Sequence, residues 1–343
     1  MESKFVRLMA VVVAAYGFMA GSARAEEKKT EVKLYMQEMY SAVSDKTPDS
    51  FSMRLARIVF SGKPNTDWAY SFQLDASQQP ALLDAYLDFS RENVLPKAFA
   101  FKFRAGQFKV PFSMEHLAGD SDLDTVNRSQ VVNALTPARP DTKGRDIGAS
   151  LQLTASPWQL KKLAEITVGQ FNGEGANAAD KNHRKGLALR GVFNPSAAIS
   201  FGASYYDGTR FSTATATTRL GTELSVTWGR AYLKGEYVRG KANSLNNVRP
   251  ANAEGWYAQA AFFVVPKVLQ AVAKYDVYDP DIERSSDRDY KYASTVKKSA
   301  ISVVGVNWNF ADNMKLQTNY EWKYWVKGGI VCNTFETVLA MTF

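Results

Sequence analysis

Apolar and polar side chains alternate one by one along much of this chain. The clearest run is residues 67–76, where Trp68, Tyr70, Phe72, Leu74 and Ala76 interleave with Asp67, Ala69, Ser71, Gln73 and Asp75. The same period sets Leu83, Ala85, Leu87 and Phe89 against Asp84, Tyr86 and Asp88, and it recurs at Leu220 to Trp228 and at Leu316 to Trp322. A period of two puts neighbouring side chains on opposite faces of an extended strand, so each run predicts a strand with one apolar and one polar face. About sixteen such segments begin near Val32, Phe51, Asp67, Leu82, Ala98, Asp146, Leu163, Gly186, Ile199, Arg219, Arg230, Glu254, Val268, Ala300, Met314 and Thr334. Most approach the roughly 9–11 residues that a tilted strand needs to cross a bilayer.

The connections carry a second pattern. After even-numbered segments they are short, as at Gly62-Lys63-Pro64-Asn65, Ser156-Pro157-Trp158, Asn194-Pro195-Ser196, Gly229 and Ala311-Asp312-Asn313. After odd-numbered segments they are mostly longer and more polar, as in residues 172–185, 207–218, 240–253 and 279–299. Tight turns at one rim and long loops at the other belong to transmembrane barrels. The last segment sets Phe335, Thr337, Leu339, Met341 and Phe343 against Glu336 and Thr342, an aromatic-ended strand of the kind recognised during outer-membrane assembly. The predicted fold is therefore all-β, a transmembrane antiparallel β-barrel of about 16 strands. Lipid offers no partners to backbone N–H and C=O groups, so such a sheet must close on itself. A closed wall of this many strands leaves an aqueous interior, whereas one of about eight is filled by its own side chains.

Composition removes most other classes. The chain has 343 residues, 45% hydrophobic and 22% charged, with a mean hydropathy of -0.27. It is too polar for a bundle of transmembrane helices and too apolar for a disordered chain. The one long apolar run, Leu8 to Ala20, is too short to span as a helix. With Lys4 and Arg7 before it and Ala23-Arg24-Ala25 after it, this run predicts a signal peptide over residues 1–25, followed by a barrel domain over 26–343 in the bacterial outer membrane. Cys332 stands alone and only His116 and His183 are present, which leaves no internal disulfide, no haem motif and no usual zinc or copper site, so no cofactor is expected. His116 lies near Ser113, Glu115 and Ser121, yet proximity in one stretch is not triad geometry, and the chain is not expected to be an enzyme such as a barrel hydrolase. The net charge of +8 is spread over strands and loops, without the stripe or motif that a nucleic acid partner requires. Two classes are left: a channel for small solutes, and a barrel serving as a structural sheath or adhesin.

Several stretches, taken in order, resemble one family. Residues 104–115, Arg104-Ala-Gly-Gln-Phe-Lys-Val-Pro-Phe-Ser-Met-Glu115, are similar to the strand-to-loop motif of the phosphate-selective porin O and P family. The stretches 52–62, 81–89, Gly144-Arg-Asp-Ile-Gly148 and Gly169-Gln-Phe-Asn-Gly-Glu-Gly175 match further parts of that pattern in sequence order. The resemblance implies a homotrimeric porin of about sixteen strands, seated among outer-membrane lipids and lipopolysaccharide and passing small anionic or neutral solutes. It also implies that the longest connection, residues 111–145, is a constriction loop folded into the pore.

The charges of that loop are sorted by position. Glu115, Asp120, Asp122 and Asp124 form an acidic arm, while Arg128, Arg139, Lys143 and Arg145 come on the return. No Lys or Arg lies between Glu115 and Arg128, a departure from the lysines that resemblance to phosphate-specific members would imply. On the predicted strands, Arg54, Arg57, Lys102, Arg104, Lys109, Arg190, Lys234 and Lys274 are mostly expected to face the lumen, because a cation on the lipid face at the bilayer midplane costs about 2–4 kcal/mol. Lys102 and Arg104 share a face opposite Phe99, Phe101 and Phe103. Arg54 and Arg57 are an odd number of positions apart, so a regular strand turns only one of them inward; a strand end, a bulge or a trimer contact would account for the other. The expected pore-lining basic set is Arg54, Lys102, Arg104, Lys109, Arg128, Arg139 and Arg145, with the acidic arm facing wall cations including Lys102 and Arg104 across the constriction. Such opposed charges give a weak anion preference.

Overall fold

The computed structural model describes residues 30–45, 47–79, 81–94, 98–137, 143–157, 162–209, 216–241, 252–283, 298–326 and 329–343. The expected signal peptide and Arg139 lie outside them. The strands are β1 (Thr30–Val43), β2 (Ser50–Gly62), β3 (Trp68–Asp75), β4 (Leu82–Val94), β5 (Phe99–Lys109), β6 (Arg145–Ala155), β7 (Ala164–Phe171), β8 (Gly186–Ser196), β9 (Ile199–Thr209), β10 (Ala216–Trp228), β11 (Ala231–Lys241), β12 (Asn252–Val265), β13 (Leu269–Asp279), β14 (Ser299–Ala311), β15 (Met314–Trp325) and β16 (Ile330–Thr342). Each pairs antiparallel with its neighbours in sequence, and β16 closes on β1. All the segments marked by alternation are present, with their starts shifted by a few residues at most.

The barrel is inverted relative to a water-soluble protein. Leu220 is 60% exposed and Gln259 only 1%. The exposed large side chains include Leu151, Ile166, Leu189, Phe262 and Val306, while Asp84, Glu223, Lys274, Asn307, Gln317 and Glu321 are buried. Alternation turns the first set toward lipid, where apolar area needs no water, and the second toward an interior where polar groups find one another.

Strand β2 breaks the regular alternation. Gln37 of β1 lies opposite Leu55 and Glu38 opposite Met53, leaving Arg54 as an extra residue between them. The bulge shifts the facing of the strand by one position, so Arg54 and Arg57 both reach the same interior loop: Arg54 donates to the Val126 carbonyl and Arg57 to Asp120. Of the three accounts that the odd spacing leaves open, a strand end, a bulge or a trimer contact, β2 has the bulge.

The barrel seam is fastened at the last residue. The N–H of Phe343 donates to Leu34 O at 2.9 Å and the N–H of Leu34 to Phe343 O at 3.0 Å, and the Phe343 ring is exposed on the outer surface. Deleting Phe343 removes both bonds and the outward aromatic. The expected result is a several-fold loss of heat-modifiable barrel in outer-membrane fractions, with undegraded chain left in the periplasm; unchanged yield would show that this residue does not direct closure.

Candidate pore constriction and its charges

Between β5 and β6 the chain turns into the barrel instead of rising above it. The path contains helix α1 (Met114–Leu117), a 3-10 turn (Asp120–Asp122) and helix α2 (Gln130–Leu135). Serines start both helices. The Ser113 hydroxyl accepts from the His116 N–H at 3.2 Å and that of Ser129 from Val132 N–H at 3.4 Å, satisfying donors that a helix start leaves free. At the other end of α1, the Lys109 ammonium donates to His116 O at 2.7 Å and Ala118 O at 2.6 Å, a cation placed where carbonyls are exposed.

Helices this short are not stable alone; α2 is held by its apolar side. Val131, Val132 and Leu135 join Val110, Phe112, Phe108, Phe171, Tyr206, Val238, Ala253 and Tyr257 in one buried cluster. The approach to β12 is close enough to require a glycine, because a Cβ on Gly255 would lie 2.8 Å from Val131 Cβ. The interior of the barrel thus contains a small hydrophobic core made of loop and wall together.

Around that core the acidic arm is tied to the wall and to its own return. Glu115 meets Lys274 of β13 at 2.8 Å, and both are nearly fully buried. Asp120 pairs with Arg57 and with Arg128. Asp124 accepts from Lys234 Nζ at 2.5 Å and Gln259 Nε2 at 2.7 Å. Asp122 is exposed and accepts from its neighbour, the Ser121 hydroxyl, at 3.2 Å. Burial pushes the Glu115 carboxyl up, but the Lys274 ammonium and the Ser129 donors outweigh it and hold it below the usual carboxylate range. Arg57 and Arg128 do the same for Asp120, more strongly, and Lys234 for Asp124.

The pairing expected across the constriction is therefore different. Arg104 forms a two-pronged bond with Asp88, both contacts at 2.7 Å, and its guanidinium lies 3.7 Å from the Tyr86 ring centroid. The cause is register: Asp88 sits directly opposite Arg104 on the adjacent strand, where cross-strand side chains meet. Lys102 has no ion-pair or hydrogen-bond partner among the described residues. Lys109 and Arg128 bind loop carbonyls, Arg128 reaching Ala118 O at 2.7 Å, and Arg145 is paired with Asp84 at 2.9 Å through two bonds. Arg54 ends on the loop backbone.

Several wall residues that fasten the loop are missing from the expected set. Glu236 of β11 accepts from the Met114 and Glu115 N–H groups at 3.1 and 2.6 Å. Asn127 donates to both Glu336 and Glu321, at 2.7 and 3.3 Å, and Lys315 donates to Ser121 O at 2.9 Å. Their one sequence signal is a polar residue on the inward-facing set of an alternating strand. The motifs at 144–148 and 169–175 also acquire a reason: Asp146 accepts from Gly173 N at 2.6 Å and Gly175 N at 3.3 Å, clasping the connection that follows β7 onto β6. The Ser113 hydroxyl caps α1, while the Glu115 carboxylate meets Lys274 and the Ser129 hydroxyl.

Comparison with known proteins agrees with this architecture. No curated protein sequence gives a significant match. Among solved structures, the OmpF of Salmonella typhi in complex with daunomycin superposes with a TM-score of 0.65 at 12% identity, covering 92% of this chain and 97% of that one. An anion-selective porin from Comamonas acidovorans gives 0.62 at 10% identity, over 92% and 100%. The trimer form of OmpT from Vibrio cholerae gives 0.58 at 12% identity, over 93% and 100%. At such identities they establish the shared fold. The family model of phosphate-selective porin O and P matches residues 35–217 and 206–324, most of the chain, and with the closed sixteen-stranded wall this shows that the protein belongs to that family of outer-membrane porins.

Proposed function

We propose that this porin passes small hydrophilic solutes and ions with a weak preference for anions, and that phosphate is not singled out. The observation that carries this reading is the state of the charges. Glu115, Asp120 and Asp124 are spent on Lys274, Arg57, Arg128 and Lys234, whereas Lys102 forms no ion pair among the described residues, Asp88 and Glu165 acting on it only through space. Fixed charge in a narrow passage biases which ions enter; Lys102, together with Arg54, Lys109 and Lys315, which are held by carbonyls and not by carboxylates, is set against the exposed Asp122, and the remaining bias is small. Arg104 adds little to it while Asp88 neutralises it, although losing either partner would change the field.

In the same reading residues 1–25 are removed on export, residues 111–145 set the narrowest section, and three copies associate in the outer membrane among its lipids and lipopolysaccharide. The trimer form of OmpT supports the last point at the level of fold. The test is the reversal potential of purified protein in a planar bilayer under a salt gradient. Lys102→Gln should move it toward cation preference, by less in 1 M salt, where the Debye length falls to about 3 Å. A parent channel without anion preference, or an unchanged potential in Lys102→Gln, would contradict the assignment.

A further inference from the structure

The two ends of the constriction loop meet at one histidine. His116 is 3% exposed, and its ring lies under Gly144, where a Cβ would come within 2.2 Å of His116 Cε1. Gly144 has a φ of 69° and its carbonyl accepts from Val110 N–H at 3.0 Å, so the ring sits at the junction where the loop leaves β5 and returns to β6. One ring nitrogen, Nε2, is buried with no hydrogen-bond partner among the described residues. The charged groups nearest in the field are cations: Lys109 from β5, Arg128 from the loop and Arg145 from β6. The carboxylates near them are already engaged, Asp84 with Arg145, Asp120 with Arg57 and Arg128, and Glu115 with Lys274. Lys143, beside Gly144, is 3.9 Å from Asp75.

A second ring proton would therefore enter a closed site beside three cations, where the Gly144 carbonyl favours it but already accepts from Val110 N–H and Nε2 has no partner among the described residues. We propose that His116 is an acid-sensitive pin of the constriction loop: neutral, it holds the loop base against β5 and β6; protonated, it releases that base and makes the channel close intermittently. Burial, then the like charges of Lys109, Arg128 and Arg145, hold the imidazole well below its ordinary value. The sign follows. The docked loop favours the neutral ring, so docking is at full strength above about pH 6.5 and weakens as the pH falls below that value, by up to about tenfold in the docked-to-released ratio for each unit.

The inference rests on the channel reading, and its test separates the two. Single-channel currents are recorded at about pH 7.5 and about pH 5.5 for the parent, His116→Asn and His183→Asn, the last altering the other histidine, which lies in the connection between β7 and β8. The parent and His183→Asn should show closures about tenfold more frequent in acid, and His116→Asn should lose that response. An acid response retained in His116→Asn, or absent from the parent, overturns the pin while leaving the channel intact; absence of any conductance in the parent instead defeats the channel reading. Should His116→Asn not assemble, a spin label at Asn133→Cys in a Cys332→Ser background reports on α2 directly. Its mobility should rise on the same acid step, and an immobile label at both values overturns the proposal.

Discussion

Lys274→Met is expected to weaken the seat of the loop by about 3–5 kcal/mol, because it strands the Glu115 carboxylate inside the barrel without its cation. The two groups lie 2.8 Å apart, each 2% exposed, and little solvent is available to replace the lost partner. Glu115 also accepts from the Ser129 N–H and hydroxyl, both at 2.8 Å, so its displacement uncaps α2 as well. The double variant Glu115→Gln with Lys274→Met removes both charges and should recover much of the loss, since two neutral groups carry no unpaired-charge penalty. Protease accessibility of residues 114–135, together with the temperature at which gel mobility changes, reads both effects. Equal damage from the single and double variants would mean that the pair does not couple. Acid should imitate the single variant. Since the Glu115 carboxyl is held below its ordinary value, this contribution is complete above about pH 4.3 and is lost as the pH falls through the lowered value.

The second large effect is steric. Gly255→Leu introduces a side chain whose Cβ would already lie 2.8 Å from Val131 Cβ and 2.3 Å from Val277 O. Neither the β12–β13 backbone nor the valine stem can yield cheaply in a packed cluster, and overpacking of this sort costs about 1–3 kcal/mol. The expected outcome is an assembled barrel with α2 displaced from the wall, seen as noisy current and a protease-sensitive loop with unchanged β content. Gly191→Leu on β8 is the matched control, because a Cβ there meets nothing within 4 Å. If both variants behave like the parent, α2 does not depend on the close approach at Gly255.

The strands were legible in the sequence for a simple reason: a spanning strand exposes one face to lipid and the other to polar company, so Trp68 to Ala76 or Leu220 to Trp228 announces itself within ten residues. The interior pairing was not legible. Whether Arg104 meets Asp88 or a loop carboxylate depends on register between strands, and the family resemblance carries no register. Arg54 and Arg57 show the limit from another side: their odd spacing calls for a strand end, a bulge or a trimer contact, and only the pairing of Gln37 with Leu55 and of Glu38 with Met53 shows that Arg54 is the bulged residue. The loop helices were hidden as well. Four and six residues long, they owe their shape to Tyr257, Val238 and Lys274, distant in sequence, rather than to any period of their own. What could have been read is the supply of inward polar residues on β11 to β16, Glu236, Gln259, Gln270, Asn307, Gln317 and Glu336, the partners available to a loop folded inward.

Those distant attachments also fix an order of events during assembly. Glu115 is 159 positions from Lys274 and Asn127 is 209 positions from Glu336, so the loop emerges long before the strands that hold it. Until β11 to β16 are in place it has no wall to settle on, and the apolar side of α2 has no cover. Full docking therefore requires β11 to β16 in the wall, and a barrel closed between β1 and β16 with its loop still loose is the expected late species. Such a species would already resist extraction and show the mobility of a folded barrel, yet its passage would not have the native bore. Gel mobility and conductance would then mature at different rates in one refolding experiment, the wall reporting first and the channel later.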